Sequence, residues 1–106
     1  IIFAASIQYF PSVGQIIPAA LQLLHPGGEI HVIDSHFYRS SELEDARRRS
    51  FDYYHSLQFS EMSDYYFHHC IDELGPFNHK ILYHPDLFLN RFLKNKNPFP
   101  WICIYA

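Results

Sequence analysis

Two short polar and aromatic segments, each following an apolar strand-like run, hold the residues best suited to chemistry. They are Ser6, Gln8 and Tyr9 after the first run, and Asp34, Ser35, His36 and Tyr38 after the second. A carboxylate or an imidazole there can remove a proton from a nucleophilic oxygen or nitrogen, and hydroxyl or amide groups can position a ligand. Hydrogen bonding within a turn and ordinary loop packing use the same residue types, so both interpretations stay open on these residues alone.

The first apolar run and the helix after it must position the first segment. Residues 1–6 form an apolar run without alternation, which is typical of a parallel strand covered on both faces, so we predict a central strand. Apolar residues then recur at helical spacing over residues 12–24, with Ser12 as the N-cap. Because Pro18 lacks a backbone donor and crowds the preceding turn, we predict that the regular helix starts near Ile17.

A helix stop and a second strand position the other segment. His25-Pro26-Gly27-Gly28 supplies proline just past the helix and glycine free to take positive φ, and residues 29–34 form the next strand. A strand, a helix and a second strand are joined most economically as a right-handed parallel crossover. The carboxyl ends of the two strands then share one rim of the sheet, where ligands bind in open α/β sheets.

The remaining chain predicts shorter elements. Ser41-Glu42-Leu43-Glu44 has the spacing of a capping box and opens a helix whose apolar stripe runs to Leu57, with the arginines at 47–49 facing water. Residues 59–69 show no clear period and predict an ordered loop or a short lid. The later segments predict one helical turn at 71–74, a strand at 80–84, a short helix from Asp86 to residue 93, and a last strand at 99–105, antiparallel to the one before.

Composition restricts the class of protein. The chain has 106 residues, 48% of them hydrophobic and 18% aromatic, which is enough apolar material for one folded domain and argues against disorder. A net charge of −3 gives no basic field for a phosphate backbone, so nucleic acid is not expected as a partner. Without an apolar run of about 18 to 20 residues or a signal-peptide pattern, we expect no membrane contact and a cytoplasmic location. Cys70 and Cys103 are expected to be reduced thiols.

The eight histidines raise the question of a metal site. His68-His69 with His79, His84 and Asp86 offer imidazole and carboxylate ligands that suit zinc. Adjacent histidines point to opposite sides of an extended segment, and about 100° apart on a helix. Because no accepted ligand spacing occurs either, we predict no metal site.

Three aromatic residues in the same region have two possible roles. Tyr65, Tyr66 and Phe67 can line an aromatic substrate pocket or a cage that holds a sulfonium cation by cation–π contact. Core packing is the commoner role for such a cluster. The sequence alone leaves both roles open.

Three features of the chain carry a family resemblance. They are the strand exit Ser6-Ile7-Gln8-Tyr9-Phe10, the turn Leu23-Leu24-His25-Pro26-Gly27-Gly28-Glu29-Ile30, and the closing pair of strands. Together they resemble the carboxyl-terminal half of the class I S-adenosylmethionine-dependent methyltransferases, over nearly the whole chain. The resemblance implies an α/β fold: a partial Rossmann-like sheet with helices on both faces, comprising strands four to seven of seven, the last two antiparallel. Residues 1–106 would be the carboxyl-terminal part of a single methyltransferase domain.

The sequence departs from the family pattern at the cofactor site. The glycine-rich turn and the acidic residue that hold the methionine and ribose of the cofactor in this family have no counterpart, and no G-x-G occurs in the chain. We therefore expect a fragment of a larger methyltransferase, inactive by itself. A homodimer through the exposed sheet edge would cover apolar surfaces that are otherwise left bare.

The resemblance also implies roles for the rim residues. Ser6, Gln8 and Tyr9 would contact the methionine end of S-adenosylmethionine and its transferring methyl, whereas Asp34, Ser35, His36 and Tyr38 would lie on the substrate side. No catalytic residue is assigned, since methyl transfer by in-line displacement often needs positioning more than proton removal. The implied function of the parent protein is methyl transfer to a small molecule.

Two other classes of function remain open, because fold resemblance by itself is weak grounds for function. A methyltransferase-like domain without activity can act through protein contacts, using the aromatic surface of residues 53–67. A small metal-binding or dimerisation domain that folds alone is the third class.

Overall fold

A computed structural model of the chain describes residues 1–94 and 96–106. The strands are β1 (Ile2–Ala4), β2 (Glu29–Ile33), β3 (Phe37–Tyr38), β4 (His69–Cys70), β5 (His79–Tyr83) and β6 (Trp101–Tyr105), and the α-helices are α1 (Val13–Leu21) and α2 (Leu43–Ser56). Short 3-10 helices cover Ile7–Tyr9, Ser40–Glu42, Ser60–Tyr65, Ile71–Leu74 and Asn90–Phe92. Among these described residues, no helix combines the length and apolar character needed to cross a membrane.

The fold is mixed α/β, built on a four-stranded mixed sheet in the order β1-β2-β6-β5. β1 and β2 are parallel, and β6 is antiparallel to both of its neighbours. The predicted parallel first pair and antiparallel last pair are therefore confirmed. Because only β6 is reversed, the carboxyl ends of β1, β2 and β5 and the amino end of β6 share one rim. A separate parallel ribbon joins β3 to β4.

β1 does not have the central position that the apolar run predicts. It is an edge strand of the described sheet, and only its middle residue, Phe3, is buried. Ile2 is 66% exposed because the sheet face to which it points has no helix on it. A continuous apolar run therefore indicates apolar side chains on both faces of the strand, and only one of those faces is covered here.

α1 begins at Val13, four residues earlier than the predicted start at Ile17, and takes Pro18 into its interior. The backbone ladder continues on both sides, with Ile16 N–H donating to the Ser12 carbonyl and Gln22 N–H to the Pro18 carbonyl. Interior proline costs about 3 kcal/mol. Burial of Val13 and Ile17 contributes about 1.5–3 kcal/mol for each side chain and outweighs that cost.

The core lies on one face of the sheet only, so the expected helices on both faces are not seen in the described chain. The sheet contributes one set of inward side chains, Phe3, Ile30, Val32, Ile102 and Ile104, and the covering layer contributes another, Ile7, Val13, Ile17, Ala20 and Leu74. α2 packs mainly against the Ser60–Tyr65 turn instead of the sheet. The opposite sheet face bears His31, Trp101 and the small side chain of Cys103.

Three local predictions are also corrected. The carboxylate that reaches back at the start of α2 is Glu42, which accepts the Arg39 N–H at 3.0 Å, so the capping box predicted from Ser41 to Glu44 does not form. Residues 86–93 form only the 3-10 turn Asn90–Phe92, because side chains such as Leu89 find no surface to cover and stay exposed. Along α2, only Ala46 of the predicted apolar stripe is buried.

Candidate functional site

A partly buried hydrogen bond joins the two strand exits at the shared rim. Ser35 is 3% exposed, and its Oγ donates to Gln8 Oε1 at 2.7 Å. Gln8 Nε2 donates in turn to the Ala5 carbonyl at 2.8 Å, while the Ala5 N–H donates to the Ile33 carbonyl at 3.0 Å. The polar atoms of the Gln8 side chain are therefore used within the fold.

Both exits turn through left-handed backbone. Ala5 has a φ of 48° and Asp34 a φ of 55°, conformations that cost L-residues roughly 1–2 kcal/mol. The chain leaves β1 and β2 abruptly as a result, which turns the Asp34 side chain outward into solvent. Strained, exposed residues at the end of a strand are frequent at ligand sites.

The segment 66–69 is fastened onto the first exit. Phe67 N–H donates to the Gln8 carbonyl at 2.7 Å, and the buried His69 ring lies 3.1 Å from the Ile7 carbonyl through Nε2. Because β4 also pairs with β3, the same segment is fixed next to Tyr38. Residues distant in sequence thus meet at one end of the rim.

An aromatic cluster forms at that end, made of Tyr9, Tyr38, Tyr54, Tyr66 and His68. Tyr66 is its centre, with ring centroids 5.9 Å from Tyr9, 6.2 Å from Tyr54 and 5.1 Å from His68. Tyr38 lies 5.6 Å from His68. With Arg49 and Ser50 of α2, members of the cluster line a cavity of about 230 Å³.

Burial sets the charge state of this cluster. It raises the pKa of Tyr38 and of Tyr66, so both phenols keep their protons at neutral pH. Burial, with Arg47 as the second cause, lowers the pKa of His68, whose Nε2 lies 2.8 Å from Ser50 Oγ. The phenols of Tyr38 and Tyr66 and the imidazole of His68 are therefore predominantly neutral at pH 7.

His36 faces a second, larger cavity of about 450 Å³ beside the first. Its ring is tilted against two others, with centroids 4.5 Å from that of Phe99 and 5.4 Å from that of Tyr38. Desolvation, helped by the nearby Arg49 guanidinium and opposed by Glu42, lowers the pKa of His36. A neutral imidazole beside a cavity is able to accept a proton.

Asp34 belongs to a third space, an apolar groove of about 430 Å³ where β2, β5 and β6 reach the rim. Ile33, Tyr83 and Trp101 line it together with the aromatic ring of Phe99. Phe99 lies beside both spaces, because it lines this groove and its ring centroid is 4.5 Å from that of His36.

The structure brings some of the sequence-predicted residues together and separates others. Gln8 and Ser35 are bonded, and Tyr9 and Tyr38 share the aromatic cluster, whereas Asp34 and His36 line different cavities. Ser6 is half-buried, and its carbonyl accepts the Tyr9 N–H at 3.1 Å. Sequence reasoning missed Arg49 and Ser50, although their helical spacing from Ala46 and Tyr53 signals a common face of α2.

The histidines are not gathered into one group. The neighbours His68 and His69 point to different partners, Ser50 and the Ile7 carbonyl. Potential metal ligands instead meet on the open sheet face, where Glu29, His31 and Cys103 have their ligand atoms within 4.8 Å of one another. No local sequence pattern indicates this group, because Cys103 comes from a distant strand.

Comparisons of the chain with protein-family models, with curated proteins and with solved structures found no match. Any statement about function therefore rests on the rim, its cavities and the chemistry of their side chains. The rim offers tyrosine rings, the imidazoles of His36 and His68, whose pKa is lowered, and the exposed carboxylate of Asp34.

Proposed function

We propose that this chain forms the substrate side of an S-adenosylmethionine-dependent methyltransferase that acts on a small molecule. The observation that carries the proposal is the aromatic cluster at the shared strand rim, where Tyr9 from one exit meets Tyr66 and, through His68, Tyr38 from the other. Ligands of open α/β sheets bind at such rims.

The order of the strands supports the proposal. A parallel pair joined through α1 is followed by two strands that are antiparallel to each other, as the family resemblance implies. The Gly27 turn that leads into β2 adopts a φ of 79°, the conformation for which its glycine pair is suited. Fold likeness of this kind supports the class of enzyme and leaves the acceptor molecule open.

The residues present fit only one end of the cofactor. Faces of tyrosine rings attract cations, so Tyr9 and Tyr66 suit a sulfonium group at the exposed side of the cluster. The amide of Gln8 is already used within the chain, which leaves it unsuited to hold the methionine carboxylate or the ribose. The proposal therefore requires a further segment that supplies the glycine-rich turn and the ribose-binding carboxylate.

When bound, the cofactor supplies a methyl group on a sulfonium sulfur for attack by an oxygen or nitrogen nucleophile. This chain would contribute orientation and proton removal. The cavity walls from Tyr38 and Arg49 would hold the acceptor, and a ring nitrogen of the neutral His36 would take the proton that the acceptor loses.

Adjacent tyrosines offer a matched test. Tyr66 lies inside the cluster, whereas Tyr65 is 65% exposed and points away from it. In the longest natural chain, with a deproteinised cell extract as acceptor, Tyr66→Ala is expected to lower formation of S-adenosylhomocysteine by at least about tenfold. Tyr66→Phe, which keeps the ring, should retain activity, as should Tyr65→Ala. Equal activity in Tyr66→Ala and the parent chain would refute the role of the cluster.

A second candidate function is a non-catalytic domain that acts through protein contacts. The observation that favours it is the number of exposed apolar side chains on α2 and the following turn: Phe51, Tyr53, Phe59, Met62 and Tyr65. Exposed aromatic residues are enriched at protein interfaces. Under this function Tyr65→Ala, and not Tyr66→Ala, would weaken capture of the partner, so the same pair of variants distinguishes the two candidates.

A further inference from the structure

The uncovered sheet face brings together three side chains that can ligate a metal. Glu29 and His31 lie two residues apart on β2 and so point to the same side, and Cys103 of β6 is the cross-strand partner of His31. His31 Nε2 lies 3.1 Å from Glu29 Oε2, and the ligand atoms of all three lie within 4.8 Å of one another. A carboxylate, an imidazole and a thiol therefore converge on one point.

We propose that Glu29, His31 and Cys103 form a Zn²⁺ site whose fourth position is open to water or an added ligand. Zn²⁺ accepts these three ligand types, at about 2.0–2.2 Å for nitrogen and oxygen and about 2.3 Å for sulfur. Tetrahedral geometry at those lengths sets ligand atoms roughly 3.3–3.7 Å apart. Atoms already within 4.8 Å reach it by small side-chain adjustments.

The burial of the three ligands suits entry from solvent. Cys103 is 4% exposed, His31 is half-buried, and Glu29 is exposed at the surface. Burial and, after it, the adjacent Glu29 carboxylate raise the pKa of the Cys103 thiol, whereas Lys80 on the neighbouring strand opposes this. A divalent ion would displace the thiol proton and offset the carboxylate charge in the same step.

A hydrogen bond from Trp101 to His31 competes with metal binding, and this competition can be tested. Its Nε1–H donates to His31 Nδ1 at 3.0 Å, which leaves the imidazole proton on Nε2, facing Glu29. A metal on Nε2 requires that proton to move to Nδ1. The indole must then turn away, and Trp101 is free to do so because it is 46% exposed.

The primary experiment titrates Zn²⁺ into the metal-free full chain by calorimetry. One ion per chain should bind with micromolar or tighter affinity, weaker at lower pH because ligands must lose protons. Co²⁺ in place of Zn²⁺ should give a thiolate charge-transfer band. Emission of Trp101, the single tryptophan among the 106 residues, should change in step with binding.

Variants separate this site from general zinc binding by histidines. His31→Ala and Cys103→Ser should each weaken binding by at least about tenfold, and the exposed Glu29→Gln, which does not disturb the core, should weaken it as well. Trp101→Phe should tighten binding about fivefold, since the competing hydrogen bond is gone. His25→Ala and Cys70→Ser serve as matched controls and should bind as the parent does. No binding, or binding that Glu29→Gln and His31→Ala leave unchanged, would overturn the proposal.

Discussion

Ser35 and Gln8 join the two strand exits through a partly buried hydrogen bond of 2.7 Å. The bond holds the two rim segments next to each other. It therefore also positions the side chains of these segments that face the cavities. Both residues were expected to touch a ligand, Gln8 on the cofactor side and Ser35 on the substrate side. Their geometry gives them a part in positioning the exits, and the predicted ligand contacts stay predictions.

Removal of the Ser35 hydroxyl tests whether its hydrogen bond to Gln8 stabilises the fold. Ser35→Ala leaves Gln8 Oε1 without its donor in a partly buried place, so the free energy of unfolding should fall by about 0.5–1.5 kcal/mol. Ser40→Ala, at an exposed position, is the matched control and should change it by less than about 0.5 kcal/mol. Urea unfolding measures both; an equal effect of the two variants would contradict the role of the bond.

Two rim histidines should make stability depend on pH. The folded-state pKa of His36 and of His68 is lowered below the ordinary histidine value of about 6.5, in both cases chiefly by burial. The unfolded chain then binds more protons near pH 6, so their contribution is complete above pH 6.5 and is lost as pH falls. The nearby arginines lower the pKa further, Arg49 at both rings and Arg47 at His68. Glu42 raises the pKa of His36 and so opposes this shift.

The free energy of unfolding, measured at pH 7.5 and 5.5, tests whether stability falls on acidification. The loss of stability on acidification should be smaller in His68→Gln than in the parent chain. His25→Gln, at an exposed position, should leave the loss unchanged. A parent chain that is more stable at pH 5.5 would contradict the assignment.

At the scale of elements, the turn between α1 and β2 depends on one glycine in particular. Gly27 has a φ of 79°, whereas Gly14 lies within α1 in ordinary helical conformation. A Cβ at Gly27 would meet no atom within 4 Å, and one at Gly14 would meet only Ser12 Oγ at 3.6 Å. Space is therefore not the difference between the two positions; backbone conformation is.

Alanine at each glycine should have opposite effects. Gly27→Ala should lower the free energy of unfolding by about 1–2 kcal/mol, because left-handed backbone is unfavourable for alanine. Gly14→Ala should raise it by about 0.5–1 kcal/mol, since glycine is costly inside a helix. Thermal unfolding of both variants decides the point, and a destabilised Gly14→Ala together with an unaffected Gly27→Ala would contradict it.

The elements also show what the sequence was able to predict. The glycine pair and the apolar run after it predicted the turn and β2, because their pattern is local. The edge position of β1 and the early start of α1 at Val13 depend on which face acquires a covering layer, and that is decided by distant packing. The rim was predicted from strand ends, but Tyr66 reaches Tyr9 only through the contact of segment 66–69 with residues 7–8, which no local pattern encodes.

At the scale of the whole molecule, the described chain has one covered and one open sheet face, and β1 lies at the sheet edge. Ile2 is 66% exposed on that edge strand, next to backbone groups without a strand partner among the described residues. Unprotected apolar edges promote association. We expect a second copy of the chain to pair there.

Sedimentation of the full chain over a range of concentrations tests the expected dimer. Ile2→Lys should shift the equilibrium towards the monomer, because a charge at an edge blocks strand pairing. Leu23→Lys, equally exposed but outside the sheet, is the control and should leave the dimer intact. A chain that stays monomeric throughout, or a dimer that both variants weaken equally, would contradict edge pairing.

The most direct test of the methyltransferase account is calorimetric titration of S-adenosylmethionine into the longest natural chain and, in parallel, into residues 1–106. The account predicts binding by the longer chain with micromolar or tighter affinity, weakened by Tyr66→Ala and not by Tyr65→Ala, and none by residues 1–106 alone. Absence of binding by the longer chain would contradict the account and favour the protein-contact function. Binding by residues 1–106 would contradict the requirement for a further cofactor-binding segment.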